Sequence, residues 1–316
     1  MLFFLSKRIL FMIGTMLVVS IILFLMLEAN VDTLAIRVLG PYSTEAGREA
    51  WLEANGYLRP VWERYFDWLF GLIQGDMGYS TRFNAPVSEV LWSRLGNTGI
   101  LALFTFAIMV PLAITLGVLS GMREGSRMDR SITFISVITT SIPEFASAVL
   151  LSFLFVFLLN QIAPGWGLPG TSGFTDGFSL TEMILPVTVL VLYGFGYVTR
   201  MMRASMAEVM QSHYIRTAVL KGLPYRRVIM KHGLRNALIA PFTVIILQIN
   251  WLLSGVIVVE YFFSYKGFGA LLLTAALNTD IELIEACAMI AVVVAVATQT
   301  IADIGYTYLN PRIRFT

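Results

Sequence analysis

A chain of 316 residues is long enough for one large or two small soluble domains, but 57% hydrophobic residues, 13% charged residues and a mean hydropathy of +0.76 fall outside that class and mark an integral membrane protein. The net charge of +2 decides nothing as a total, because in such a chain the placement of charge carries the information. The single cysteine, Cys287, excludes an intramolecular disulfide and a thiolate metal cluster; inside an apolar run it reads as a small buried side chain.

Lys7 and Arg8 precede Ile9 to Leu27, an uncharged run of about the 20 residues that cross a bilayer core. The run is too long for the apolar part of a signal peptide, and no small-x-small cleavage site follows before Glu28, so residues 1–27 read as a retained first helix starting in the cytoplasm. Residues 28–97 are polar and irregular, with nine acids, six basic residues and Trp51, Trp62, Trp68 and Trp92, and read as an extracytoplasmic domain of amphipathic helices. Within it, Val61 to Ile73 places Val61, Tyr65, Trp68, Leu69 and Leu72 on one helical face. That face suits the helix bundle, lipid headgroups or a partner, and packing on the bundle is the ordinary outcome.

Residues 98–316 form the core. Thr98 to Gly121 is an uncharged second helix carrying Pro111, which neighbouring helices can accommodate. Met122 to Arg130 holds Arg123, Arg127 and Arg130 and lies in the cytoplasm. A third helix, Ser131 to Leu159, is interrupted by S-I-P-E-F at Ser141 to Phe145, and a Gly/Pro-rich connector without basic residues, Asn160 to Ser179, lies outside. Leu180 to Thr199 is the fourth helix, Asn236 to Val259 the fifth and Ala286 to Leu309 the sixth, with an outer loop from Glu260 to Glu285 and a closing N-P-R-I-R-F-T. Six crossings put both termini in the cytoplasm, and this topology leaves 15 of the 22 basic residues on cytoplasmic segments. The fold class is an all-α polytopic membrane protein with six transmembrane helices.

Residues 201–241 are longer than a connection between two helices requires. Eight basic residues fall between Arg200 and Arg235 against one acid, Glu208. Ala207, Met210, Tyr214 and Ala218 recur at helical steps before Gly222; after it, Pro224 opens a segment with Arg227, Lys231 and Arg235 on one side and Tyr225, Val228, Ile229 and His232 on another. The pattern predicts a helix, a tight turn at Gly222 and a second helix on the cytoplasmic face. Two readings fit it: a basic hairpin lying on anionic lipid, or a docking knob for a cytoplasmic partner.

The segment Y-I-R-T-A-V-L-K-G-L, Tyr214 to Leu223, followed by K-H-G-L-R-N-A-L-I-A-P, resembles the EAA-loop signature of ABC importer permeases in the form used by the oligopeptide, dipeptide and nickel class. The resemblance extends to G-D-M-G-Y-S at Gly75 to Ser80, S-I-P-E-F, V-V-E-Y-F-F-S-Y-K-G-F-G at Val258 to Gly269, and L-N-P-R-I-R, in order over nearly the whole chain. Arg216, Thr217 and Ala218 occupy the E-A-A positions, so the acid of the general signature is absent, as is usual for the peptide class.

What the resemblance implies is a type I permease fold in which Tyr214, Arg216, Thr217, Ala218, Gly222 and Leu223 couple to a separate ATPase in the bacterial or archaeal cytoplasmic membrane. It implies a second homologous permease, two ATP-binding subunits, an extracytoplasmic solute-binding protein and the lipid bilayer as partners, and no nucleic acid. This chain has no G-x-x-x-x-G-K-[ST] loop, so ATP and magnesium belong to the partner and no cofactor is expected here. The cargo of such a class is most often peptide, with nickel chelates, opines and oligosaccharides as alternatives. An ATP-independent secondary transporter or channel would show inverted repeats or paired broken helices, and no such repeat is evident. An intramembrane enzyme would need a catalytic pair at depth.

Glu144 and Asp303 are acids within apolar runs, where a charge costs about 2.5 to 3.5 kcal/mol on insertion scales. Ser141, Pro143 and Glu144 form a candidate pathway lining, the alternative for Glu144 being an ion pair with a loop arginine; Asp303 reads as an interfacial acid. His213 and His232 are too few and too far apart for a metal site and read as surface or interface residues.

Overall fold

The computed structural model describes residues 2–28, 35–36, 38–163, 180–254 and 256–309, and these are helical almost throughout. The connector over 164–179, the closing N-P-R-I-R-F-T and the side chain of Asp303, each given a place above, lie outside the described residues. Among the described residues, five helices are long and apolar enough to cross a membrane: Ile9–Glu28, Val87–Gly121, Glu144–Ile162, Leu180–Met210 and Ile281–Ala302. A sixth span results when Tyr225–Ala237 and Ile239–Ile249, bent by 53° at Leu238, are taken together.

The chain divides into two compact units, Met1–Gly96 with Leu271–Val296, and Asn97–Ala270 with Ala297–Thr316. The first unit contains α1 (Leu2–Glu28), α2 (Glu45–Ala54), α3 (Val61–Gln74), a two-stranded hairpin of β1 (Tyr79–Ser80) and β2 (Ala85–Pro86), and the first turns of α4 (Val87–Gly121). Thr44 caps α2 by accepting the Gly47 N–H at 3.2 Å. Gly75 ends α3 in the left-handed region, at φ 89°. The amphipathic α3 packs on α1: Phe24 lies against the Tyr65 and Trp68 rings, and the Tyr65 hydroxyl meets Ser20 at 2.9 Å. Four of the five residues on its predicted face, Tyr65, Trp68, Leu69 and Leu72, are half-buried, whereas Val61 stays exposed. The opposite stripe of Trp62, Phe66, Phe70 and Ile73 is exposed.

The G-D-M-G-Y-S motif acquires a physical meaning in this unit. Gly78 has φ 80°, and a Cβ there would run into the Glu282 carboxylate, so only glycine fits. The close approach lets Glu282 accept the Tyr79 N–H at 2.5 Å, while Asp280 accepts the Ser80 hydroxyl at 2.6 Å and the Arg82 N–H at 3.1 Å. The motif is thereby a clasp onto the start of the last helix.

The second unit holds the rest of α4, then α5 (Arg127–Ser141), α6 (Glu144–Ile162), α7 (Leu180–Met210), α8 (His213–Leu220), α9 (Tyr225–Ala237), α10 (Ile239–Ser254) and α11 (Ile257–Phe262). It also holds the first residues of α12 (Phe268–Asn278) and the last turns of α13 (Ile281–Leu309). The core is built around α7, on which α5, α6 and α10 pack. Val189, Leu190 and Val198 on α7 are fully buried among Leu101, Met109 and Leu252. Close approach there needs glycine: a Cβ at Gly117 would meet Met202 and the Thr199 carbonyl at 2.5–2.8 Å, and one at Gly196 would meet the Ser136 carbonyl at 2.5 Å.

Several boundaries differ from those the sequence predicts. The second helix begins at Val87, not Thr98, because Val87 and Leu91, one turn apart and 0% exposed, hold extra turns against packing partners despite Glu89 and Arg94. The third helix is two: Ile142 is extended, as the residue before a proline prefers, and Pro143 starts α6, which contains a π turn at Phe153–Leu158. The fourth helix runs to Met210 instead of Thr199, since Met202 and Met206 are completely buried against Ile229 and Ala237. The fifth is bent at Leu238, the sixth starts at Ile281, and the segment read as a simple outer loop carries α12.

Candidate functional site

The polar segment folds as predicted in outline, with one correction. Ala207, Met210, Tyr214 and Ala218 do not share a helix: α7 ends at Met210, Gln211 and Ser212 turn, and α8 starts at His213 with Ser212 as its extended N-cap residue. The Ser212 hydroxyl donates to the Val209 carbonyl at 2.6 Å, a local bond that competes with helix continuation. Ile215 and Ala218 turn inward onto Val228, with Val209, Met210 and Leu223 around them.

The end of α8 explains the spacing of the signature. The Gly222 N–H donates to the Val219 carbonyl at 2.9 Å and the Leu223 N–H to the Ala218 carbonyl at 3.4 Å, with Gly222 at φ 71° and Leu223 packed beside Ala218. These are the two bonds, the left-handed residue and the apolar contact of a Schellman motif. Ala218, Gly222 and Leu223 therefore shape the turn: Ala218 is 7% exposed and Leu223 half-buried. A Cβ on Gly222 would meet nothing, so glycine is required there for its backbone conformation rather than for space. Pro224 then starts α9, accepting the Arg227 and Val228 N–H groups at 2.8 and 3.1 Å. A π turn at Val228–Gly233 keeps Val228 and Ile229 buried while Arg227, Lys231 and Arg235 stay exposed. Asn236 on α9 donates to the Tyr214 hydroxyl at 3.0 Å and ties the two arms together.

What the hairpin presents outward is apolar at its tip and basic around it. Leu220 is 79% exposed, and Val219, Tyr225, Tyr214 and Met230 are exposed as well. Arg216, Thr217, Lys221 and Arg226 surround them, also exposed. Of the six residues singled out from the sequence, Tyr214, Arg216, Thr217 and Gly222 lie on this surface; Ala218 and Leu223 support it from within. Leu220 and Val219, at the tip itself, were not singled out.

A second group that sequence reasoning missed anchors the base of the hairpin. Asp129, near the start of α5 and 3% exposed, accepts the Arg203 Nε–H and Nη2–H at 3.0 and 2.9 Å, the Ser120 hydroxyl at 2.5 Å and the Gly125 N–H at 2.8 Å. The Arg203 guanidinium, the Ser120 hydroxyl and the Gly125 amide hold its carboxyl well below the usual carboxylate range against the opposing effect of burial. Glu124 joins the cluster at 3.4 Å from Arg203 and accepts from Gln211 at 3.2 Å. The available signal was S-R-M-D at Ser126 to Asp129, a capping pattern in which Ser126 accepts the Asp129 N–H at 3.1 Å.

The third group explains E-Y-F-F-S-Y-K-G-F-G. Glu260, 0% exposed, accepts the Thr98 hydroxyl at 2.5 Å and the Ala270 N–H at 2.9 Å, and Thr98 accepts the Phe268 N–H at 2.8 Å. A Cβ at Gly267 would strike that carboxylate, and one at Gly269 would strike Ile257. The Tyr265 hydroxyl donates to the Asn97 carbonyl at 2.5 Å; burial and Glu260 push its phenol above the ordinary range.

Of the candidate pathway residues, Ser141 is exposed and donates to the Val137 carbonyl at 2.8 Å, Pro143 is exposed, and Glu144 is half-buried. No ion pair to Glu144 is found among the described residues; Trp251 and Tyr193 are its polar neighbours, their rings stacked at 4.7 Å. The arginine pairing considered for Glu144 is thus absent among these residues. His213 is exposed and His232 half-buried, and among the described residues no three potential ligands converge on a metal site. Cys287 is free and buried.

These features belong to one family. Residues 113–315 match the family described as binding-protein-dependent transport system inner membrane component, and the chain is a member of it: a multi-pass inner membrane protein and the translocation subunit of a binding-protein-dependent importer, with a type I ABC importer permease fold. Among curated proteins the chain is similar to the oligopeptide transport system permease protein AppB of Bacillus subtilis, with 34% identity over 313 residues and 99% of both chains covered. It is 33% identical, over 98% of both chains, to a Brucella abortus protein named "Putative peptide transport system permease protein".

Proposed function

We propose that this subunit forms half of the pathway of an ATP-driven peptide importer, with both termini in the cytoplasm, and that α8 and its Schellman turn are the part engaged by the ATPase. The complex we envisage has a second homologous permease, two ATP-binding subunits that hold ATP and magnesium, and an extracytoplasmic solute-binding protein. Full-length similarity to proteins named for peptide or oligopeptide transport supports the cargo. The observation that carries the coupling role is the exposed apolar tip, Leu220 above all, on a turn whose geometry is fixed by Ala218, Gly222 and Leu223.

An exposed leucine ringed by cations suits a groove with an apolar floor and acidic rim better than bulk water. Burying such a side chain contributes about 1.5–3 kcal/mol, and the rim charges fix orientation more than affinity. Closure of two ATPases would displace the two hairpins; the motion passes to α7 and α9, which share the buried Met202, Met206, Ile229 and Ala237. The pathway is then a two-state element biased by nucleotide. Ser141, Pro143 and Glu144, at the break between α5 and α6, are the proposed lining.

A cysteine at Leu220 tests the docking. Cys287 is buried, so Leu220→Cys supplies the reactive thiol for a short bifunctional reagent in membranes containing the whole complex. The expected product joins this chain to the ATPase, with lower yield when nucleotide changes the groove. A Leu220→Cys chain that reacts freely with small maleimides but never joins to the ATPase contradicts the assignment.

A further inference from the structure

The first unit contains a cavity of about 310 Å³ bounded by α1, α3, the loop after α2 and the first turn of α13. Five acidic side chains line it, Glu28, Asp67, Asp76, Glu282 and Glu285, beside two guanidinium groups, Arg59 and Arg64. Four of the five acids are accounted for by the protein. Glu28 is paired with Arg64, Asp67 with Arg59 at 2.6 Å, Asp76 accepts the Gly78 N–H at 3.0 Å, and Glu282 accepts the Tyr79 N–H.

Glu285 is different. It is 4% exposed, lines the cavity, and has no hydrogen bond and no ion-pair partner within 4.0 Å among the described residues. A carboxylate this deeply buried is costly to keep ionised without a partner. The remaining wall is aromatic: Phe24, Tyr57 and Trp68 line the same space, the Tyr57 ring being already engaged by Arg64 at 5.5 Å and by the stacked Trp51 ring at 5.7 Å. Burial, with Glu282 and Glu285 nearby, pushes the Tyr57 phenol up to about 12.

A metal ion does not suit this arrangement, because no three acidic, histidine or cysteine side chains among the described residues converge as donors. An unpaired acid in a partly aromatic cavity suits an organic cation, which combines a charge-assisted hydrogen bond with attraction to aromatic rings. We propose that this cavity is a binding site for a primary alkylammonium group, with Glu285 as its counter-ion and the Trp68 and Phe24 rings as its apolar wall. The volume has room for one small amine or for the amino end of a peptide. The site stands apart from the coupling hairpin and requires neither ATPase nor transport; only the peptide as a source of the amine rests on the importer reading.

The test is saturation-transfer NMR on the full chain in nanodiscs, with three probes at constant ionic strength: cadaverine, alanyl-alanine amide and the neutral 1,5-pentanediol. Binding of either amine but not of the diol is expected, and whichever amine binds identifies a free diamine or a peptide amino end as the source. Glu285→Gln should weaken that binding about tenfold or more. Because the wild-type comparison of amine with diol needs no variant, a folding defect in Glu285→Gln does not rescue the idea. Absence of amine binding to the wild type, equal binding of the diol, or unchanged binding in a folded Glu285→Gln chain overturns it. Failure of import with intact amine binding would count against the importer reading alone.

Discussion

Replacing Asp129 by asparagine removes the charge from the most heavily hydrogen-bonded acid among the described residues. Asp129 is 3% exposed and its carboxylate takes five donors, two of them from Arg203 and the longest from Thr133 at 3.5 Å. Breaking a buried pair costs about 3–5 kcal/mol because the surviving charge is stranded. Here the cost is smaller: the Arg203 side chain is 30% exposed and Glu124 stands 3.4 Å away as a substitute partner, so a loss of about 2–3 kcal/mol is expected. Reversible unfolding in mixed micelles measures it, and repeating the substitution in an Arg203→Met background should leave only a small residual effect. The same pair sets a pH dependence. The folded carboxyl titrates below its unfolded value, so its stabilisation is complete above about pH 4 and is lost as pH falls from there toward the folded value. A change below about 0.5 kcal/mol for Asp129→Asn at neutral pH would refute the view that this cluster anchors the hairpin.

Three further outcomes follow from the geometry. Gly267→Ala drives a methyl group into the Glu260 carboxylate and should destabilise the protein by about 1–3 kcal/mol, read as lower thermal stability, whereas Gly125→Ala, with open space around it, should cost only its backbone strain. The Tyr57 phenol should ionise near pH 12, seen as the ultraviolet difference between wild type and Tyr57→Phe; since the folded value is raised, its contribution to stability is complete below about pH 10 and fades as pH rises toward 12. Glu144→Gln should change peptide uptake with protein level unaltered if Glu144 lines the pathway, and unchanged uptake at equal level would assign it to scaffolding.

Much of the architecture was legible because the bilayer imposes long apolar runs and sorts charge between loops. Pro143 announced the break in the third helix, and Gly222 with Pro224 announced the hairpin. The differences share a cause: the sequence shows where charge begins, while the chain ends its helices where packing ends. Arg200 and Arg203 looked like the edge of the membrane, yet Met202 and Met206 carry α7 onward because their side chains are buried against Ile229 and Ala237. Arg203 reads in the sequence as one more cytoplasmic cation, and nothing local reveals that it spans 74 positions to Asp129. Gly267 stands plainly in the sequence, but the reason for it, a carboxylate from Glu260 lying where a Cβ would be, is visible only in three dimensions. At the hairpin the signature drew attention to Ala218, which is internal, and away from Leu220, which is the exposed tip.

The central claim is that the hairpin transmits ATPase motion, and the most direct measurement is peptide uptake together with ATP hydrolysis in proteoliposomes bearing the full complex with Gly222→Asp. A Cβ at Gly222 meets nothing within 4 Å but strains a left-handed backbone, at a cost of about 1–2 kcal/mol, so the chain should still insert and assemble. The expected result is normal membrane content with uptake lost and hydrolysis no longer stimulated by loaded binding protein. Uptake at the wild-type rate with the variant present in full amount would contradict the account.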